Sequence, residues 1–133
     1  MRAQTTTGTK TRRMTTTAQN EIEETFWQET MTNEWKPIGL KPQFWIIARG
    51  SHYRLDFAVP ALKIGIEIDG FDHHSDTDDI AADRKRQRDL EFGGWTIIRF
   101  GGQEVYDDPA ACAEEALKFI KARKRIKRGR KIF

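Results

Sequence analysis

The stretch Tyr53-Arg54-Leu55-Asp56-Phe57-Ala58-Val59-Pro60-Ala61-Leu62-Lys63-Ile64-Gly65-Ile66-Glu67-Ile68-Asp69 decides the fold. Its two ends alternate apolar and polar residues with the period of a β-strand, and the four residues 60–63 between them suit a hairpin loop. In 53–59, Tyr53, Leu55, Phe57 and Val59 fall on one face and Arg54, Asp56 and Ala58 on the other. In 64–69, Ile64, Ile66 and Ile68 share a face, and Gly65, Glu67 and Asp69 share its opposite. Closing the hairpin over residues 60–63 sets Val59 against Ile64, Ala58 against Gly65 and Asp56 against Glu67. Directly opposed residues bring their Cβ atoms to roughly 4.5–5.5 Å, where like charges repel. The register that matches apolar with apolar therefore matches carboxylate with carboxylate. A divalent cation removes that repulsion, and ligands that are all oxygen favour Mg²⁺, with Mn²⁺ as a substitute. Without the cation, removing either acid should leave the fold as stable as before or more so.

The solvated face of a half-exposed hairpin carries the same pattern. Two neighbours favour a site. Gly65 on the acidic face clears space of the kind an approaching ligand needs. The loop after Asp69 supplies Asp72, His73 and His74. One histidine suits a general base, or a group that positions the attacking water or steadies the leaving oxygen. No Cys/His spacing fits zinc, and Cys112 lies far off among alanines, where packing is its role.

Further outward, Asp78–Phe92 reads as a charged helix stopped by Gly93-Gly94. Its stripe Ile80, Asp83, Gln87, Leu90 turns Asp83 inward to orient a histidine or Arg54, against the alternative of a solvated acid near a helix N-terminus. Residues 18–33 read as an earlier helix with Asn20 as N-cap, Gln43–Ile47 as a short strand, and Trp95–Phe100 as another. Asp108-Pro109 opens a last helix that runs through Ala113, Leu117 and Ile120 into a basic tail. The order α, three strands, α, β, α gives an α/β fold: a mixed β-sheet flanked by helices.

The chain's 133 residues suit one domain, expected over 19–120, between a disordered Thr-rich basic arm at 1–18 and a basic tail at 121–133. The net charge of +3 hides an asymmetry. Lys121, Arg123, Lys124, Arg125, Lys127, Arg128, Arg130 and Lys131 fall within eleven residues without an acid. Arg2, Lys10, Arg12 and Arg13 lie in the arm, leaving eleven basic residues against all twenty acids in between. Basic ends on an acidic body suit a protein that grips a polyanion and holds cations. Cations also favour a helix C-terminus, but eight of them exceed that need. One cysteine excludes an intrachain disulfide, and no stretch approaches the ~20 apolar residues of a membrane span. With no secretory apolar run near its start, the chain is expected to be intracellular.

The runs YRLDFAVPALKIGIEIDGFDHHS (53–75) and DRKRQRDLEFGGWTIIRF (83–100) resemble the very short patch repair (Vsr-like) endonucleases of the PD-(D/E)xK superfamily. They are also similar to the EDxHD homing endonucleases. The likeness spans about residues 20–120, with D-F, E-x-D-G, H-S, D-x-x-R and G-W-x-x-x-R-F in order. The resemblance implies the restriction-endonuclease-like α/β fold, with Asp56 and Glu67 as metal ligands. Asp69 stands where much of the superfamily has lysine, and His74 matches the histidine near the scissile phosphate. That leaves His74 and Asp69 as candidates to activate water. Glu23 matches a glutamate of the first helix, while its place three residues after Asn20 equally suits a capping box.

The expected activity is thus Mg²⁺-dependent hydrolysis of DNA phosphodiesters, of homing, repair or nicking type, with the basic tail on backbone phosphates. A non-cleaving DNA-binding or scaffold protein of the same fold is the different-class alternative; a nuclease for RNA or branched DNA is the nearer one. With no separate recognition domain in the chain, specificity falls to the core, a homodimer or a partner protein.

Overall fold

The computed structural model describes the backbone of residues 10–70 and 77–132, with side chains described from 20 to 129 within them. Helix α1 (Lys10–Glu29) leads through a 3-10 turn at Lys36–Ile38 into β1 (Lys41–Ala48) and β2 (Ser51–Val59). A second 3-10 turn (Pro60–Leu62) precedes β3 (Ile64–Asp69), and α2 (Thr77–Phe92), β4 (Thr96–Gly101), α3 (Gly102–Asp107) and α4 (Pro109–Ile132) complete the chain. The sheet order is β1-β2-β3-β4, antiparallel except that β4 lies parallel to β3. That last pairing needs a crossover, and α2 provides it. The fold is therefore the α/β mixed sheet flanked by helices that the sequence implies.

Local chemistry sets the joints. Arg49 and Gly50 both take positive φ (50° and 84°) between the paired residues Ala48 and Ser51. Such a two-residue turn matches the twist of its strands. Asp108 caps α4 by accepting the Ala111 N–H at 3.1 Å, with Pro109 at the first helical position. The earlier helix starts at Lys10 rather than near residue 18, so Asn20 is mid-helix and caps nothing. The short α3 has no counterpart in the sequence pattern: Val105 is its one large buried residue, so it leaves no apolar period.

The sheet packs on both faces. Phe57, Val59, Ile64, Ile66, Ile68 and Phe100 meet Phe26 of α1, Val105 of α3 and Ala116 and Ile120 of α4. Phe26 lies 5.3 Å from the Phe57 ring and 6.0 Å from Phe100. On the other face Ile46, Leu55 and Ala58 meet Leu90 of α2, joined by Phe44, Tyr53, Trp95 and Ile97.

The hairpin register is as expected where paired, with Val59 opposite Ile64 and Ala58 opposite Gly65. The facing of β2 is not. Leu55 packs toward α2 but Phe57 toward α1, so the alternation breaks at Asp56. The residue across from it, Gln43 of β1, has φ 51° and is skipped in the ladder. Gly65 also has a different reason than expected. A Cβ there would sit 2.8 Å from the Ile97 side chain and 2.9 Å from that of Leu55, so its space is filled by packing, not left for a ligand.

Candidate active site

The break at Asp56 is what makes the site. The β2–β3 ladder stops at Phe57 and Ile66. Beyond it, the Asp56 carboxylate takes over as acceptor, with the Ile68 N–H donating to Oδ2 at 2.9 Å. Asp56 is thereby fixed between two parting strands. Burial pushes its carboxyl up from 3.8 to about 7, and the charges of Glu23 and Glu67 push the same way. The Ile68 N–H and the Arg54 charge pull in the opposite direction but do not prevail.

Glu67, on the α2 face of β3, is 7% exposed. Its compensation is a pair of arginines. Arg86 of α2 donates Nη1 to Glu67 Oε1 at 2.8 Å and Nη2 to Oε2. It also reaches the Arg54 carbonyl at 3.3 Å. Arg99 is the direct neighbour of Glu67 in the parallel register, with Nη1 3.7 Å from Oε1 and 3.8 Å from Asp69 Oδ1. Its Nη2 is buried and has no hydrogen-bond partner among the described residues. A forked pair to a buried carboxylate is strong, and removing one member leaves an uncompensated charge. The expectation that losing either acid leaves the metal-free fold unharmed therefore fails for Glu67.

Glu23, partly buried on α1, accepts from Gln43 Nε2 at 3.0 Å, and its charge reaches Asp56. With Asn20 mid-helix, the capping-box reading of Glu23 is gone. Asp69 ends β3 half-exposed. His73, His74 and Asp72 lie outside the described residues. Asp83 does not turn inward: it is exposed, as is Ile80, and the inward stripe is Arg86 and Leu90. The buried acid of α2 is Asp89, bound by Tyr53 Oη at 2.6 Å and Lys85 Nζ at 2.7 Å, which hold its carboxyl below the ordinary range. Of the expected stripe Leu90 alone packs on the sheet, and Arg86, drawn in by its ion pair with Glu67, takes the place expected for Gln87.

The basic tail continues α4, and its described partners lie at the other end of the sheet. Lys127 Nζ binds the Ala61 carbonyl at 2.7 Å, and Arg123 binds Thr96 Oγ1 at 3.2 Å. Lys124, Lys127 and Arg128 rim a cavity of about 240 Å³ floored by Pro37, Ile38, Val59, Leu62 and Ile120. Between that end and Asp69 runs the length of β3, roughly 17 Å at the usual rise. Lys121 pairs with Glu34 at 3.1 Å.

The donors fit a metal in kind. Asp56, Glu67 and Glu23 offer only oxygen, the choice of hard divalent cations. An acid held near 7 by burial and two like charges is also what a cation would relieve. Yet Arg86 occupies both Glu67 oxygens, and among the described residues no three His, Cys, Asp or Glu side chains are grouped to hold a metal. A cation on Glu67 would have to share its carboxylate oxygens with Arg86.

The mixed four-stranded sheet flanked by helices is that of restriction-endonuclease-like nucleases. The chain belongs to the restriction-endonuclease-like family REase_MTES_1575, which its residues 40–120 match. It is 32% identical over 71 residues to the uncharacterized protein YcjD of Escherichia coli (strain K12), a match covering 53% of this chain. The chain spans 58% of that relative's length. The fold matches that of the homing endonuclease I-Bth0305I catalytic domain with a TM-score of 0.56, over 77% of this chain and 95% of that one, at 15% identity. No helix among the described residues is long and apolar enough to cross a membrane.

Proposed function

We propose that the protein is a metal-dependent endonuclease that hydrolyses DNA phosphodiester bonds, of the Vsr-like branch that the motif order suggests. The observation that carries this reading is Asp56, held at about 7 beside Glu23 and Glu67 on a nuclease fold. Asp56 and Glu67 would hold Mg²⁺ or Mn²⁺, with Glu23 beside them. When bound, the cation supplies Lewis-acid polarisation of the phosphate and a more acidic water. Arg99, whose buried Nη2 has no partner among the described residues, would bring a donor for a phosphate oxygen, and Arg86, forked on Glu67, a second positive charge beside it. Asp69 and His74 remain the groups proposed to accept the water's proton. The basic end of α4 and the N-terminal arm would hold flanking phosphates, with specificity from the core, a second copy or a partner protein.

Incubating the protein with supercoiled plasmid, branched DNA and single-stranded RNA, each in Mg²⁺ and in EDTA, tests the reading. Nicked or linear plasmid in Mg²⁺ alone is expected. Cutting confined to RNA, or to branched DNA, moves the substrate class; duplex binding without any cutting makes the chain a scaffold.

A further inference from the structure

The stretch from Trp35 to Leu55 contains Lys36, Lys41, Arg49 and Arg54 and neither aspartate nor glutamate, in a body otherwise rich in acids. Most of it forms β1, the Arg49-Gly50 turn and the start of β2. Strand β2 pairs with β3 only over Phe57–Val59, whereas β1 and β2 stay paired out to Ala48 and Ser51. The far half of this hairpin is therefore a two-stranded ribbon that has parted from β3. One ribbon face is buried, with Phe44, Ile46, Tyr53 and Leu55 packed toward Leu90. The other carries the cross-strand pairs Trp45–Arg54 and Ile47–His52. It is open: Trp45 is 62% and Ile47 67% exposed, and Arg54 and His52 are exposed as well.

A lone exposed apolar residue needs no explanation. Here a tryptophan and an isoleucine lie side by side, set against an arginine and a histidine, on a ribbon without an acid. That combination suits a partner that is both anionic and apolar-edged. The open face also leads into the active site. The Arg54 charge reaches Asp56, and Gln43, two residues from Trp45, donates to Glu23.

We propose that this open face of the β1–β2 ribbon lies in the major groove of the duplex whose scissile phosphate is at Asp56 and Glu67, an inference that rests on the DNA-nuclease reading. The major groove, roughly 12 Å wide, admits a two-stranded ribbon. Arg54 offers a donor fork for guanine O6 and N7, while Trp45 and Ile47 offer apolar surface for thymine methyl groups. The absence of acids lets the ribbon pass between the flanking phosphates without repulsion.

The test is fluorescence anisotropy of a fluorescein-labelled mixed-sequence duplex titrated with the full chain in EDTA, across a salt series. Trp45→Ala should weaken binding roughly tenfold, as loss of an aromatic interface anchor does, and leave the salt slope unchanged. Ile47→Glu should weaken it at least as much while melting at the wild-type temperature, since Ile47 makes little of the core. Wild-type binding retained by both variants, in a protein that cuts plasmid, overturns the ribbon assignment alone. A wild-type protein that neither binds nor cuts duplex overturns the DNA reading beneath it. A dimer seen by analytical ultracentrifugation that Trp45→Ala dissolves, with DNA binding unaltered, also overturns the proposal, because a second copy then covers the face.

Discussion

Asp56→Asn is the perturbation whose size the structure sets best. The asparagine carbonyl oxygen can still accept the Ile68 N–H, so the parting of β2 and β3 is kept. What changes is the charge. In the metal-free protein the Asp56 carboxyl sits at about 7 against an ordinary 3.8. A group whose folded value is raised stabilises most below its unfolded value, and that contribution is lost as pH climbs through the folded one. Wild type should therefore weaken between about pH 4 and 7, by at most ~4 kcal/mol at ~1.4 kcal/mol per pH unit. Water at the open side of the carboxylate lowers this to about 2–4 kcal/mol. Urea unfolding in EDTA from pH 4 to 8.5 measures it. The two proteins should be of similar stability near pH 4, and the variant should be the more stable by that amount above pH 7.5. Mg²⁺ should then stabilise wild type at high pH and leave the variant unmoved. Parallel stability curves for the two proteins would refute the argument that Asp56 is held in an electrostatically unfavourable place.

Glu67→Ala should abolish cleavage and, unlike Asp56→Asn, destabilise the metal-free fold by about 3 kcal/mol, because Arg86 and Arg99 lose their shared acceptor; chemical denaturation gives the sign. Arg86→Met should weaken the metal-free protein similarly by stranding Glu67, and Mn²⁺ should recover more stability in it than in wild type, as seen by thermal melting. Replacing Lys124, Arg125, Arg128 and Arg130 by alanine should weaken duplex binding and lower its salt slope by about 0.9 for each phosphate no longer neutralised; an unchanged slope assigns the α4 end to another role. His74→Ala should slow cleavage by roughly 10²–10⁴-fold with metal binding intact. A larger loss in His73→Ala would move the proton acceptor to that residue.

The hairpin is legible in the sequence because two local signals agree: the apolar period of each strand and a loop of four residues. Together they fix Val59 against Ile64 and Ala58 against Gly65. The turn of β2 at Asp56 is hidden, since Leu-Asp-Phe alternates equally well whether or not the strand twists between its apolar members. Only the partners, Leu90 behind Leu55 and Phe26 behind Phe57, distinguish the cases, and they lie far away in sequence. The role of Gly65 is hidden for a related reason: its neighbours Leu55 and Ile97 come from two other strands. Arg86 and Arg99 both lie within the matching motif runs, yet nothing local marks them as partners of an acid. A sequence shows acids that repel; it does not show which cation on a crossover helix, or one strand over, comes to meet them. Arg99 is the arginine of the G-W-x-x-x-R-F run, and its register opposite Glu67 exists only through the parallel pairing of β3 with β4.

Asp56 and Glu67 are proposed to carry a metal-dependent cut in DNA. The direct measurement is a time course of supercoiled plasmid with wild type and Glu67→Gln, purified side by side, in Mg²⁺ and in EDTA. Wild type should convert the plasmid to nicked or linear form in Mg²⁺ only, and Glu67→Gln in neither buffer. Equal cutting by the two proteins would remove Glu67 from the reaction, and cutting by wild type undiminished in EDTA would remove the metal.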